Sequence, residues 1–300
     1  MAMAPLWSLS SSSKYLLMGW AIVLAYDGSH YHGSAPQPGI ATVVGGLTQS
    51  LERLRVDYHD LALAGRTDAG VHARFQLVSL EAPSLTEEHY PRLQAILPQG
   101  VMLRVVMRTP AAFHARHSAQ WRQYRYRIRR ASHDPLFPLS WQISHPLDVG
   151  AMSEVASYLR TVESFEALCK AGSAGGFRRR IHSIELAERE GFFEISVLGA
   201  SFCHQMVRRI VGALVQVGRR RWSPEYVIEA VDGRDRALLS ELAPAHGLYL
   251  WRVGYNQAWE WAAERFLERG FEEDWSVIDR LELPFPLEWS AECPHYRHPS

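Results

Sequence analysis

Short apolar runs of strand length are interleaved irregularly with amphipathic helical stretches, and this ordering limits the fold more than any other feature. Met18 to Ala25 (MGWAIVLA) is a continuous apolar run of the length of a buried strand. After a Gly-, His- and Pro-rich loop, Thr42 stands where an N-cap belongs, and Val43, Leu47, Leu51 and Leu54 mark one face of a helix. A loop then reaches Gly65 to Val71, followed by a strand at Phe75 to Leu80. Helix Thr86 to Ile96 and strands Val101 to Arg108 and Arg122 to Ile128 come next. In the second half the pattern predicts helix Ala151 to Arg160 and a hairpin of Ile181 to Glu188 with Phe192 to Leu198, turning at Glu190-Gly191. Helix His204 to Val217 is predicted to end at Gly218 as its C′ residue. Ser223-Pro224 opens a short helix through Val231, and Leu248 to Tyr255 is a last strand. Strands and helices mix without a regular βα repeat, which predicts an α+β fold with mixed or antiparallel sheets. We expect two side-by-side α/β sandwich subdomains, at residues 15–147 and 148–255, between a flexible start (1–14) and an extension (256–300).

No stretch approaches the ~20 apolar residues of a membrane span, and residues 1–13 lack the basic and apolar regions of a secretory signal. Cys169, Cys203 and Cys293 stand far apart, which argues against a disulfide scaffold and for a reducing cytoplasm. The net charge is zero, but it is unevenly spread. Residues 256–300 carry ten acidic side chains against four arginines, so the rest of the chain is basic. That extension also holds Trp259, Trp261, Trp275 and Trp289, which predicts a docked helix and loop. Lys14 and Lys170 are the only lysines, leaving arginine to supply almost all positive charge. Arginine forks bind phosphate bidentately and stack on bases, although a GC-rich genome also favours arginine codons.

Gly65 to Ala73 reads GRTDAGVHA: two glycines bracket a short polar loop immediately before an apolar strand. Such glycines permit positive φ or close backbone approach to a ligand. Taken by itself the loop also fits a turn in which Asp68 caps its own backbone. In helix 204–217, Met206, Ile210, Ala213 and Val217 form an apolar stripe, which leaves Arg208 and Arg209 on a solvated face. Period-two alternation puts Tyr124 and Tyr126 on one face of their strand, with Arg125 and Arg127 opposite.

The run GRTDAGVHA resembles the catalytic signature of the TruA family of tRNA pseudouridine synthases. YDGSHYHG (Tyr26 to Gly33), FHARHSAQWRQYRY (Phe113 to Tyr126), SFCHQMVRRIVGALVQVG (Ser201 to Gly218) and HGLYLWRV (His246 to Val253) resemble further family segments in the same order. The resemblance spans roughly residues 18–255 and implies the pseudouridine synthase fold, tRNA as partner, a homodimer and no cofactor or metal. It implies uridine isomerisation in the anticodon stem-loop, with Asp68 as the nucleophile. Arg66 would fill the space left by the flipped nucleotide, and Tyr124 would stack on the target uracil and is a candidate base. Arg208 would pair with Asp68, while Arg209 stays on the solvated face and Tyr126 in the sheet. Contacts to substrate or RNA are implied for His72, Phe113, His114, Arg116, Arg122, Arg179 and Leu248. The carboxylate would attack C1′, assist by removing a ribose proton, or add to C6 of the base, and the sequence leaves all three open. In each case Asp68 must be ionised in a water-poor pocket beside a guanidinium.

The chain departs from the family pattern in places. Gly33 is followed by Ser34-Ala35-Pro36 in place of Trp-Gln, Val43-Val44-Gly45 replaces Val-Gln-Gly, and Phe177 to Arg180 replaces Thr-x-x-Arg. These changes bear on which uridines are selected. Arg178 to Arg180, Arg219 to Arg221, and the arginines from Arg116 to Arg130 are candidate phosphate contacts. His30/His32, Cys203/His204 and His295/His298 lack a complete metal-ligand set. The alternatives are a catalytically silent tRNA-binding relative, an N-glycosidase using Asp68, and a scaffold role for the extension.

Overall fold

Strand β1 (Gly19–Tyr26) is buried at every position, as its unbroken apolar run requires, and it lies between two strand neighbours. The computed structural model describes residues 19–109, 113–130, 139–170, 172 and 176–255. The expectations for residues 1–14 and 256–300 lie outside these. The remaining strands are β2 (His59–Leu63), β3 (His72–Glu81), β4 (Val101–Thr109), β5 (Trp121–Arg129), β6 (Trp141–Gln142), β7 (Ile181–Arg189), β8 (Phe192–Gly199) and β9 (Leu248–Gly254). The helices are α1 (Val43–Arg53), α2 (His89–Ile96), α3 (Val149–Leu159), α4 (Met206–Gly218) and α5 (Pro224–Asp232).

The strands run in the order β4-β1-β3-β9-β5-β8-β7, with β2 on β3 and β6 on β5. Pairing is antiparallel except at β5–β6 and at β3–β9, where His72 faces Tyr249 and Ala73 faces Leu250. That two-pair parallel junction welds two antiparallel halves into one mixed sheet, in keeping with the α+β fold that the irregular element order predicts. Strand β5 pairs with β8 and β9, so within the sheet it sides with the later strands although it precedes the boundary expected at residues 147–148. Helix α1 contacts α2, while α3 contacts both α4 and α5. Each half thus has its own helical layer. Side chains such as Ile22, Leu24, Leu47, Leu51, Ile128, Phe193, Ile195 and Leu214 are fully buried, each stabilising by about 1.5–3 kcal/mol relative to exposure. No helix among the described residues is long and apolar enough to cross a membrane.

Several elements differ from the sequence reading for local reasons. Strand β2, read as loop, is a short and mostly open strand on β3. Helix α2 begins at His89, not Thr86, because the Thr86 N–H donates to His89 Nδ1 (3.2 Å) before the helix starts. Helix α4 begins at Met206, not His204, because Gln205 is held left-handed at φ 64°. Gly218 lies inside α4; a Cβ there would sit 2.6 Å from Met152 Sδ, so glycine permits the close approach of α3. Cys169 and Cys203 are paired in a disulfide across 34 residues, contrary to the reading from their spacing. Sequence distance concealed that the turn after Leu168 and the segment before α4 meet in the core.

Candidate active site

The loop between β2 and β3 is clamped from three sides. Gln76 on β3 donates through Nε2 to Gly65 O (2.6 Å) and accepts from Gly65 N (3.4 Å). The Tyr26 hydroxyl, at the end of β1, lies 2.8 Å from Thr67 Oγ1. Ser34 Oγ accepts from Thr67 N (2.8 Å), and Ser34 N donates to Thr67 O (3.1 Å). Gly33 carries a φ of +103°, and a Cβ there would lie 2.9 Å from Thr67 O, so this crossing of two loops requires glycine. The departure at Ser34 is therefore a fastener of the Asp68 loop. Ser34→Ala is expected to cost about 1 kcal/mol of stability and to lower turnover several-fold by loosening residues 66–68. Urea unfolding beside steady-state kinetics checks both.

Asp68 projects from this clamped loop towards the start of α4. Its Oδ2 accepts from Arg208 Nη1 at 3.0 Å, and its Oδ1 lies 3.3 Å from His204 Nε2. Both members of the Arg208 pair are largely shielded, with side chains 13% and 22% exposed. Arg208 Nε donates to Ala243 O (2.8 Å) while Ala243 N donates back to Arg208 O (3.2 Å), which fixes the guanidinium. The Asp68 side chain thus points across to a second element, and the turn is closed instead by Val71 N donating to the Asp68 carbonyl (3.1 Å).

The carboxylate opens onto a cleft of about 1520 Å³ that reaches from the 32–37 loop to Arg179. Among its lining residues Asp68 is the sole acid, against Arg66, Arg116, Arg122, Arg179 and Arg208. Tyr124 forms part of the wall; its buried ring meets Phe202 edge-on at 5.2 Å. Burial pushes the Tyr124 phenol well above its ordinary pKa, and the Asp68 charge adds to the shift. The phenol therefore stays protonated at neutral pH and offers an aromatic face more readily than a base. Leu248, at the start of β9, is a buried part of the same wall. Arg66 is exposed on the loop, and His114, Arg116 and Arg179 line the far side.

A family model described as tRNA pseudouridine synthase matches residues 161–256. The chain is 36% identical over 240 residues to "tRNA pseudouridine synthase A" of Geobacillus kaustophilus (strain HTA426), covering 78% of this chain and 93% of that one. It is 37% identical over 241 residues to the protein of the same name from Moorella thermoacetica (strain ATCC 39073 / JCM 9320), covering 78% and 98%. The chain belongs to the tRNA pseudouridine synthase A family. Among solved structures, the Cbf5-Nop10-Gar1 complex matches at 15% identity and a TM-score of 0.30, over 69% of this chain and 47% of that one.

Not every residue implied by the family pattern turns its polar groups to this cleft. His72 is buried behind the loop: its Nδ1 accepts from Gly28 N (3.0 Å), its Nε2 lies 3.1 Å from His246 O, and its ring stacks on Tyr249. Burial lowers the His72 pKa despite the nearby Asp27 carboxylate. The structure makes it a rivet of the β3–β9 junction, away from the cleft. Phe113 is buried against Tyr255, with ring centroids 5.3 Å apart, and is not on the cleft wall. Arg122 lines the cleft but sends its guanidinium inward, donating to the carbonyls of Ala64, Arg116, Ala119 and Ala200. Arg125 and Arg127, on the opposite face of β5, pair with Glu194. Arg209 is buried and donates to Leu239 O (2.9 Å), contrary to the solvated face its spacing predicts. The segment after Asp232 covers that side of α4, which a stripe of apolar residues cannot reveal. Sequence reasoning passed over His204, Ser34 and Gln76. Ser34 left a signal as a departure from the family pattern, and His204 was weighed only as half of a metal pair. Gln76 left a weaker one, a polar residue inside an apolar strand.

Proposed function

We propose that this chain converts uridine to pseudouridine in the anticodon stem-loop of tRNA, working as a homodimer, with Asp68 as the nucleophile. The observation that carries this reading is the lone carboxylate of an arginine-lined cleft, held by Arg208 beside the aromatic wall of Tyr124. Pseudouridine formation breaks the C1′–N1 bond, turns the uracil, joins C1′ to C5, releases the C5 proton and takes up a proton at N1. Nothing is oxidised or reduced overall. Asp68 serves by covalent or proton-transfer catalysis at the sugar or base, and Arg208 holds its charge in place. The target base must leave its stack to reach this floor. The cleft exceeds the ~300–1,000 Å³ typical of small-molecule pockets, which suits an extruded nucleotide with flanking backbone. In this reading Tyr124 gives the extruded uracil a stacking face, and Arg66, exposed on the Asp68 loop, takes the place the base leaves in the stem.

Arg116 and Arg179 suit phosphates on the rim. Replacing both with alanine is expected to weaken tRNA binding and to reduce the slope of log affinity against log salt by about 1.5, from ~0.7–0.9 per lost phosphate contact. Filter binding between low and moderate salt measures it. The function itself is tested by treating unmodified tRNA transcripts with the protein and mapping pseudouridine by position. Modification confined to the anticodon arm supports the reading. Modification elsewhere marks a retargeted relative, and tight binding without modification marks a silent one.

A further inference from the structure

We propose that His204 is a positioning residue for Asp68, a role that rests on the nucleophile assignment above. A carboxylate gripped only at one oxygen can still turn about its terminal torsion, which is broad and roughly two-fold. In this site Arg208 takes Oδ2 and His204 Nε2 stands 3.3 Å from Oδ1, so the two partners together define the plane of the group. The imidazole is half exposed in the cleft wall.

Three features hold His204 at that spot. Gln205, the residue between it and α4, is left-handed at φ 64°. Non-glycine residues adopt that conformation uncommonly, and such strain gathers at functional sites. The His204 carbonyl accepts from Lys170 N at 3.1 Å. Cys203, immediately before it, is paired with Cys169. A turn that merely entered a helix would need none of these. They aim the side chain across the cleft mouth, onto the one oxygen that Arg208 leaves open.

The test compares His204→Leu with His204→Gln, whose amide retains an N–H donor at similar reach. Misplacement of a reacting group by about 1 Å costs on the order of 10²-fold. His204→Leu is expected to lower kcat by about 10–100-fold with KM within about twofold, and His204→Gln to recover most of that loss. The Asp68 carboxyl carbon resonance should shift in the Leu variant and return in the Gln variant, a readout independent of turnover. An unmoved resonance with kcat within twofold of wild type overturns the proposal, and so does a Gln variant as impaired as Leu. Wild-type protein and Asp68→Ala run in parallel keep this separate from the nucleophile assignment. If Asp68→Ala turns over normally, that assignment fails; if only the His204 variants do, the positioning role fails.

Discussion

Asp68→Ala is expected to lose pseudouridine formation by at least ~10⁴-fold, the scale seen when a nucleophile is removed from a working catalytic group, while tRNA binding is expected to stay within about threefold of wild type or to tighten. The two outcomes follow from one fact: Asp68 is the sole acid among the residues that line the cleft. Removing it takes away the proposed nucleophile and a negative charge that would face a polyanion, so affinity has no reason to fall. The fold should survive, because Arg208 keeps its bond to Ala243 O and the loop keeps its fasteners at Tyr26, Ser34 and Gln76. Circular dichroism and urea unfolding beside the kinetics separate loss of chemistry from loss of structure. A variant that retains turnover would remove Asp68 from the mechanism.

The second large effect is on stability. Arg122 is 8% exposed and its guanidinium serves four backbone carbonyls drawn from the 64, 116–119 and 200 segments. Each buried acceptor stripped of its donor costs about 1–3 kcal/mol. Water recovers part of this, and Arg122→Met is expected to destabilise the protein by about 3–5 kcal/mol, the range for breaking a buried charged network. Lysine should restore little, because a single ammonium cannot fork to carbonyls on three segments. A fall in urea midpoint with unchanged slope is the expected signature. If Arg122→Met unfolds normally but binds tRNA poorly, the arginine is the RNA contact that the family pattern implied.

What the sequence could reveal follows from the range of the forces involved. Period and capping are local, so β1, α1 with its Thr42 cap, and the β7–β8 hairpin with positive φ at Glu190 and Gly191 were all legible. The alternation in β5 foretold that Tyr124 and Tyr126 share a buried face. Long-range encounters were not legible from pattern alone. The spacing of α4 put Arg208 and Arg209 side by side on an open surface. Only the fold shows that Ala243 and Leu239 cross over them, accepting from Arg208 and Arg209. The same limit hid the meeting of Cys169 with Cys203 and the inward turn of Arg122. Motif resemblance carried Asp68, Arg208, Tyr124, Arg66 and Leu248 to one cleft, because a motif compresses three-dimensional proximity into sequence. It also carried His72 and Phe113, which the fold buries beside the cleft and not on its wall.

The uracil is expected to leave C1′ through N1 and return through C5 without leaving the protein. The direct measurement uses tRNA carrying tritium at C5 of its uridines. Tritium should pass to water in step with pseudouridine, one for one, with no free uracil. Free uracil without tritium release would make this a glycosidase and contradict the account.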